Sequence, residues 1–503
     1  MNKLIQFTAA LMAVLSLTSC ATEVGTGVVT SETPPGVVTS EPLPGVTTEH
    51  EEEEDPIMLD KDIIKSTITS TDDGNGNYTN PVIFADVPDI DIIRVDDAFY
   101  MVSTTMHLSP GCPVMRSYDL VNWEIVNYVF DTLEDRDNLA LRNGENNYGK
   151  GQWATTLRYN DGVYYAGFTS FSTGRTYIYH TDDIENGKWD RFVYDECFHD
   201  MSLLFDDDGR VYLVYGGGQI WCVELEKDLS AVKPGTKRKL IDDAGLVKGC
   251  LAEGSHVYKM NGYYYIFIIT WPPHRRRTQL CYRSETLDGE WEMKVIIDDN
   301  IGFRNDGVAQ GGIVDDKDGN WYCFVFQDHG AVGRAPVLST MTWEDGWPVV
   351  GVDGKVPRTA KIPVAGHEKK GIVTSDEFIN SQIVRPYHNF ADTPEEAGEN
   401  DYNGSNLALE WQWNHNPDNR LWSLTEREGY LRLRTVNVCD TVADARNTIS
   451  QRTFGPECGG YIKLDVSEMK EGDTAGLAAF AEKYGYVAVK IEDGKKYIVT
   501  VWY

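Results

Sequence analysis

The chain has 503 residues, too many for one ordinary core, so two folded domains with tails are expected. Its formal net charge of −32 leaves no basic face to displace counterions, which disfavours nucleic acid and leaves a neutral ligand as the simplest fit. Aromatic residues make up 11%, with 13 Trp and 27 Tyr, a composition suited to an all-β chain that packs and binds rings.

Residues 1–20 read as a targeting segment: Lys3, an apolar run over 4–17, then Leu17-Thr18-Ser19-Cys20. The segment resembles a bacterial lipoprotein signal peptide over 1–19, with Cys20 lipidated as the first mature residue. That resemblance implies an exported protein anchored by lipid to a membrane, facing the periplasm or the cell surface. The apolar run is too short to span a bilayer as a helix. Residues 20–75 read as a tether. Gly27-Val28-Val29-Thr30-Ser31-Glu32 returns at 36–41 and, degraded, at 45–49, and an acidic run over 49–55 follows. Such a composition buries no core and is expected to stay disordered and extended. Eight cysteines follow Cys20, none in a CxxC spacing, so no zinc site is expected and the pairing is not set by the sequence.

A hairpin phrase then repeats. Val95-Asp96-Asp97-Ala98-Phe99-Tyr100 is the first copy and Tyr159-Asn160-Asp161-Gly162-Val163-Tyr164 the second. Phe205-Asp206-Asp207-Asp208-Gly209-Arg210-Val211-Tyr212 is the third. The fourth, Tyr258-Lys259-Met260-Asn261-Gly262-Tyr263, is two strands about an Asn-Gly turn; the fifth is Asp315-Asp316-Lys317-Asp318-Gly319-Asn320-Trp321-Tyr322. Each copy is followed by a further strand pair, about one four-stranded sheet per unit. Five such units with no amphipathic helix between them predict a five-bladed β-propeller over 76–362. From about residue 375 the strand-like runs 407–414, 421–425 and 429–434 predict a β-sandwich over 363–503, and 496–503 ends the chain inside another.

Carboxylates precede the inner strands of three units, and a propeller brings inner-strand starts to one mouth. Asp89 stands ahead of the first hairpin, Asp200 ahead of the third and Glu253 ahead of the fourth. Converging carboxylates suit glycoside hydrolysis, in which one ionised acid activates water and a protonated one serves the leaving oxygen. A third carboxylate beside the acid helps to keep it protonated.

These residues lie in phrases that resemble glycoside hydrolase family 43: NPVIFADVPDIDIIRV, FHDMSLLFDDDGRVYLVYGGG, LAEGSHVYKMNGYYY and AQGGIVDDKDGNWYCFVFQDHGAVGRAPVL. The resemblance implies an inverting enzyme that removes α-L-arabinofuranosyl or β-D-xylosyl units from plant hemicellulose or its oligosaccharides. It implies Asp89 as general base, Asp200 as pKa modulator and Glu253 as general acid. It further implies Trp153 and Arg334 at the sugar, with Gln310 and His329 at the border of the same mouth. Two departures stand out: Ile90 follows the base where the family usually has proline, and Ala309 stands where many members carry a histidine that helps to hold a central calcium. No catalytic cofactor is implied, and a structural calcium only weakly.

The run LALEWQWNHNPDNRLWSLTEREGYLRLRT resembles the concanavalin-like sandwich appended to xylosidase-type members, here shorter than the complete domain, so an incomplete sandwich is expected. The alternative reading is a surface glycan-binding lipoprotein without turnover. Gly144 to Lys150 mimics a phosphate loop, but Gly151 replaces the required Ser/Thr. Sugar preference, exo against endo action and oligomeric state are not set by these residues.

Overall fold

The computed structural model describes residues 69–380, 399 and 401–503, with the backbone of Val37–Thr39. The signal segment, Cys20 and most of the expected tether lie outside the described residues. Residues Leu59–Gly455 form one compact unit, and Pro456–Tyr503 with Val37–Thr39 belongs to a second.

The first unit holds five four-stranded antiparallel sheets, each a simple meander. Blade 1 runs Asp91–Val95, Ala98–Val102, Gly111–Ser117, Glu124–Phe130. Blade 2 runs Thr156–Asn160, Val163–Ser170, Arg175–Thr181, Asp190–Tyr194. Blade 3 is Ser202–Phe205, Val211–Tyr215, Ile220–Leu225 and Arg238–Ile241. Blade 4 is Ala252–Met260, Tyr263–Thr270, Thr278–Ser284 and Glu292–Ile297. Blade 5 is Ala309–Asp315, Trp321–Asp328, Arg334–Glu344 and Trp347–Val350. The first strands of successive blades are neighbours, and that of blade 5 returns to that of blade 1, so the ring closes as a five-bladed propeller.

The repeated hairpin phrase works through its turn. Asp96, Asp161-Gly162 and Asn261-Gly262 all take positive φ, the conformation that matches a two-residue turn to the twist of its strands. The second strand of each blade is sandwiched between neighbouring sheets, so it reads as a nearly unbroken apolar run, as in Tyr263–Thr270. Packing between blades makes the core. Ile92, Met101 and Trp123 of blade 1 meet Phe324 and Leu338 of blade 5. Val102 and Phe130 meet Phe168 and Tyr177 of blade 2. Similar clusters join blades 2 and 3, 3 and 4, and 4 and 5. Each such large side chain contributes roughly 1.5–3 kcal/mol on burial.

A short segment ahead of blade 1 ties the ring to its far end. Asn77–Thr79 pairs antiparallel with Thr359–Lys361. The Val82 amide donates to the Pro336 carbonyl at 2.8 Å and Val87 to Arg334 at 3.0 Å. Asn80, 5% exposed, donates through Nδ2 to the Leu338 and Pro357 carbonyls and accepts from the Leu338 amide.

Within the same unit, Gln412–Asn414 pairs on one side with Ile449–Ser450 and on the other with Leu108–Ser109 of the propeller. The strands expected over 407–414, 421–425 and 429–434 shrink to Gln412–Asn414, Trp422–Ser423 and Arg432–Leu433. The physical reason is side-chain competition for the backbone. Asn414 Nδ2 donates to the Val442, Ala443 and Ala445 carbonyls, and Asn403 Nδ2 to those of Asn419 and Trp422. In the second unit, Thr474–Ala479, Gly485–Glu492 and Lys495–Trp502 form an antiparallel meander, with Val37–Thr39 paired to the outer edge of Lys495–Trp502.

The cysteines after Cys20 carry no disulfide; Cys112, Cys222, Cys250, Cys281 and Cys323 are buried and pack as small apolar residues.

Candidate active site

Aligning the hairpins in register puts Asp91, Thr156, Ser202, His256 and Gly312 at one level of the inner strands. This level carries a buried polar cluster. Asp91, fully buried, accepts from Arg158 Nη1 at 2.6 Å and the Leu157 amide at 2.9 Å, and His256 Nδ1 lies 3.3 Å away. Arg158 also donates to Ser202 Oγ and to the Leu203 and Val257 carbonyls, binding four blades together. The Arg158 charge and these donors hold the Asp91 carboxyl well below the usual carboxylate range in spite of its burial.

This donor set does not fit calcium, which takes six to eight oxygens. The fully buried carboxylate at this level already faces a guanidinium, and Ala309 offers no side-chain ligand at the fifth-blade position. The local positive charge that a central ion would supply is carried by Arg158.

Two residues before that level the backbone turns sharply into the mouth. Asp89 has φ 52° and Asp200 φ 47°, a left-handed conformation rare outside glycine and costing on the order of 1 kcal/mol. The same position is Gly254 in blade 4 (φ 70°) and Gln310 in blade 5 (φ 62°). Glu253 therefore does not stand at the position equivalent to Asp89 and Asp200. It stands one residue earlier and inside the strand, where the pairing slips between Glu253 and His256. The bulge re-aims its side chain toward Asp200.

The three acids are brought together. Asp200 Oδ2 accepts from the Gly254 amide at 3.0 Å, which fixes it beside Glu253. Burial, reinforced by the negative charges of Glu253 and Asp89, pushes the Asp200 carboxyl up to about 7, against the opposing pull of His199. Asp89, 8% exposed, accepts from Arg334 Nη1 at 2.7 Å, and the Arg334 amide is held by Asp86 Oδ1 at 2.8 Å. In this arrangement Asp200 exchanges its proton near neutrality, and Asp89 faces a fixed cation.

The remaining expected residues divide. The Gln310 side chain lies over Gly254, where an added Cβ would meet its Cδ at 2.8 Å, and the Gln310 backbone N–H donates to Gln279 Oε1. Trp153 is half-buried, edge-on to Phe171 at 5.9 Å and to His199 at 6.4 Å between ring centroids. Its loop is pinned by Gln152, which is fully buried and whose Oε1 accepts from the Thr105 amide. His329 is stacked on Phe303 at 4.1 Å, edge-on to Phe84, and bonded to Gln327 Oε1. Burial lowers it to about 4, so it is a neutral packing group, and none of its contacts is with the three acids.

His199 went unrecognised as a site residue in the sequence, although it directly precedes Asp200. Its Nε2 lies 3.0 Å from Glu253 Oε2 and its Nδ1 3.5 Å from Asp200 Oδ1. Phe171, 53% exposed, packs on its ring at 5.5 Å. The adjacency His199-Asp200 was the available signal, but a histidine beside a loop acid is common without any role.

A closed propeller with three acids, a fixed arginine and aromatic rings at one mouth defines a carbohydrate-cleaving type of site. Residues 78–348 match the model of glycosyl hydrolases family 43, and residues 399–503 that of the beta xylosidase C-terminal Concanavalin A-like domain. The chain belongs to glycosyl hydrolases family 43 and is a glycosidase. It is 30% identical to the beta-xylosidase of Formosa agariphila, over 87% of this chain and 79% of that one. It is 28% identical to the non-reducing end alpha-L-arabinofuranosidase BoGH43B of Bacteroides ovatus, over 80% and 74% of the two. Among solved structures, a bifunctional GH43-CE protein of Bacteroides eggerthii is 45% identical with a TM-score of 0.73, covering 84% of this chain. This chain spans about half of that longer one, 52%. A GH43 glycoside hydrolase described as engineered for both endo-xylanase and exo-arabinofuranosidase activity is 30% identical, with a TM-score of 0.69 over 84% of this chain and 79% of that one.

Proposed function

We propose that the enzyme removes α-L-arabinofuranosyl or β-D-xylosyl units from hemicellulose and its oligosaccharides with inversion, using Asp89 as base, Glu253 as acid and Asp200 as modulator. The hydrogen bond from Gly254 to Asp200 is the observation that carries the assignment, because it fixes the Asp200 carboxyl beside Glu253 and apart from the arginine-bound Asp89. Asp89 takes a proton from water as the water attacks the anomeric carbon. Glu253 gives its proton to the glycosidic oxygen as that bond breaks. Asp200 is the carboxyl beside the acid, and its charge when ionised opposes loss of the Glu253 proton before the step. Arg334 orients Asp89 through its 2.7 Å hydrogen bond, and Trp153 offers a ring face to the sugar. The names of the two curated relatives above support both pentosides as substrates and give no support to binding without turnover.

The test is hydrolysis of nitrophenyl α-L-arabinofuranoside and β-D-xyloside. Wild type is expected to cleave at least one. Asp89→Asn is expected to lose about a thousandfold or more in kcat on it, and Glu253→Ala a similar factor on the corresponding pentose disaccharide, whose leaving oxygen needs the proton. Proton NMR of the first-formed anomer checks inversion, and a retained anomer overturns the assignment. We further propose that Cys20 is lipidated and tethers the enzyme to a membrane of an exporting bacterium. Incorporation of labelled palmitate that persists in Cys20→Ser would sink that reading.

A further inference from the structure

Beside the acid stands a group that the mechanism above leaves unused. His199 enters blade 3 immediately before Asp200, and its ring is held on three sides. From blade 4, Glu253 Oε2 meets Nε2 at 3.0 Å. From its own segment, Asp200 Oδ1 lies 3.5 Å from Nδ1. From blade 2, Trp153 and Phe171 pack on the ring and carry no charge. Gly217 passes close by, and a Cβ there would touch both His199 Cδ2 and Glu253 Oε2. The other charge that acts on the ring is Asp89 of blade 1. His199 thus faces three carboxyls and is itself half-buried, and its Nδ1 has no hydrogen-bond partner.

We propose that His199 is a positioning residue that holds the Glu253 carboxyl in place for the leaving oxygen by donating from Nε2 to Oε2. The inference rests on Glu253 being the general acid. The proton on this bond belongs to Nε2, which donates to Oε2, and the proton that Glu253 gives up sits on its other oxygen, Oε1. When the glycosidic bond breaks, its electron pair goes to the leaving oxygen, which takes the proton from Glu253. The carboxylate left behind is then stabilised by the imidazole N–H, with no atom unaccounted for. The carboxyls around the ring raise the imidazole above its ordinary value against the effect of burial.

Three consequences separate this role from mere support. Protonic assistance matters most when the leaving group is poor, so His199→Phe is expected to lower kcat about 100-fold on a pentose disaccharide and about 10-fold or less on a nitrophenyl pentoside. Removing a group that carries positive charge beside a carboxyl raises that carboxyl's pKa. The basic limb of the kcat profile, which reports loss of the acid's proton, is therefore expected to move up by about one pH unit in both His199→Phe and His199→Gln. Gln keeps a donor at the bond, so it is expected to recover about tenfold of the loss on the disaccharide while leaving the limb shifted.

The experiment is a kcat and KM determination for both substrates from pH 5 to 9 with wild type, His199→Phe, His199→Gln and Glu253→Ala. Thermal melting of each variant accompanies it, and the Gln variant carries the test if Phe fails to fold. Equal losses on the two substrates with an unmoved basic limb overturn the role of His199. Disaccharide activity retained in Glu253→Ala overturns the acid assignment itself, a separate outcome visible in the same data.

Discussion

At the scale of single residues, the site raises one carboxyl to near neutrality, far above where water would leave it. The chief cause is the burial of Asp200, and its folded value of about 7 lies far above the ordinary 3.8. Between those values the folded state binds a proton that the unfolded state has released, so this residue makes stability fall as pH rises from about 4 to about 7. Asp200→Asn removes that penalty and keeps an oxygen for the Gly254 amide. The variant is therefore expected to melt at about 2 °C or more above wild type at pH 8, with the difference vanishing near pH 4, while its activity drops. Melting curves at the two pH values check this; an Asn variant less stable at pH 8 contradicts it. Asp89 and Asp200 were legible in the sequence because each lies two residues ahead of a repeated hairpin. Glu253 was legible only as an acid near a strand. Its one-residue offset comes from a bulge, which leaves no mark in an alternating pattern, and His199 depends on a contact between blades 3 and 4 that no local reading contains.

At the scale of elements, the strand Gln412–Asn414 brings His415 against His107 of the propeller. His415, fully buried, accepts the Asn147 amide on Nε2 at 3.0 Å, while His107 accepts the Gly149 amide on Nδ1 at 3.1 Å, and the two rings lie 4.7 Å apart. Burial lowers His107 to about 4, and burial together with the His107 charge lowers His415 to about 2. Both are neutral in the fold and would be charged in the unfolded chain below about 6.5. Their contribution is fully present above that pH and is lost progressively as pH falls from about 6.5 toward 4. Trp413 and Trp422, 5.0 Å apart beside this strand, provide a fluorescence reporter. His415→Ala is expected to cost about 2–3 kcal/mol in denaturant unfolding at pH 7.5 and less at pH 5, because the buried acceptor and its packing are lost. A cost that grows in acid would contradict the sign. The sequence indicated strands here but not their partners: an edge formed with Leu108–Ser109 joins segments some three hundred residues apart, and three-residue strands carry too little periodicity to announce a pairing.

At the scale of the whole propeller, the question is what keeps five sheets in a ring. Five repeats were countable because each carries its own turn residues, and turn chemistry is local. The closure was not, since Asn77–Thr79 is only three residues long and meets Thr359–Lys361 at the opposite end of the domain. Asn80 replaces length with hydrogen bonds: its side chain satisfies two carbonyls and one amide that would otherwise be stranded against blade 5. Truncation leaves those groups buried without partners, at about 1–3 kcal/mol for the site as a whole once the chain relaxes. Asn80→Ala is therefore expected to lower the Tm by about 2–6 °C. Because Asn80 touches none of the mouth residues, kcat at 25 °C is expected to stay within about twofold of wild type. Measuring both quantities on one preparation separates two views of the ring. A lower Tm with normal turnover means that the clamp holds the blades and the mouth is shaped by the inner strands around Arg158. A normal Tm means that the apolar packing of blade 1 on blade 5, centred on Trp123 and Phe324, closes the ring by itself.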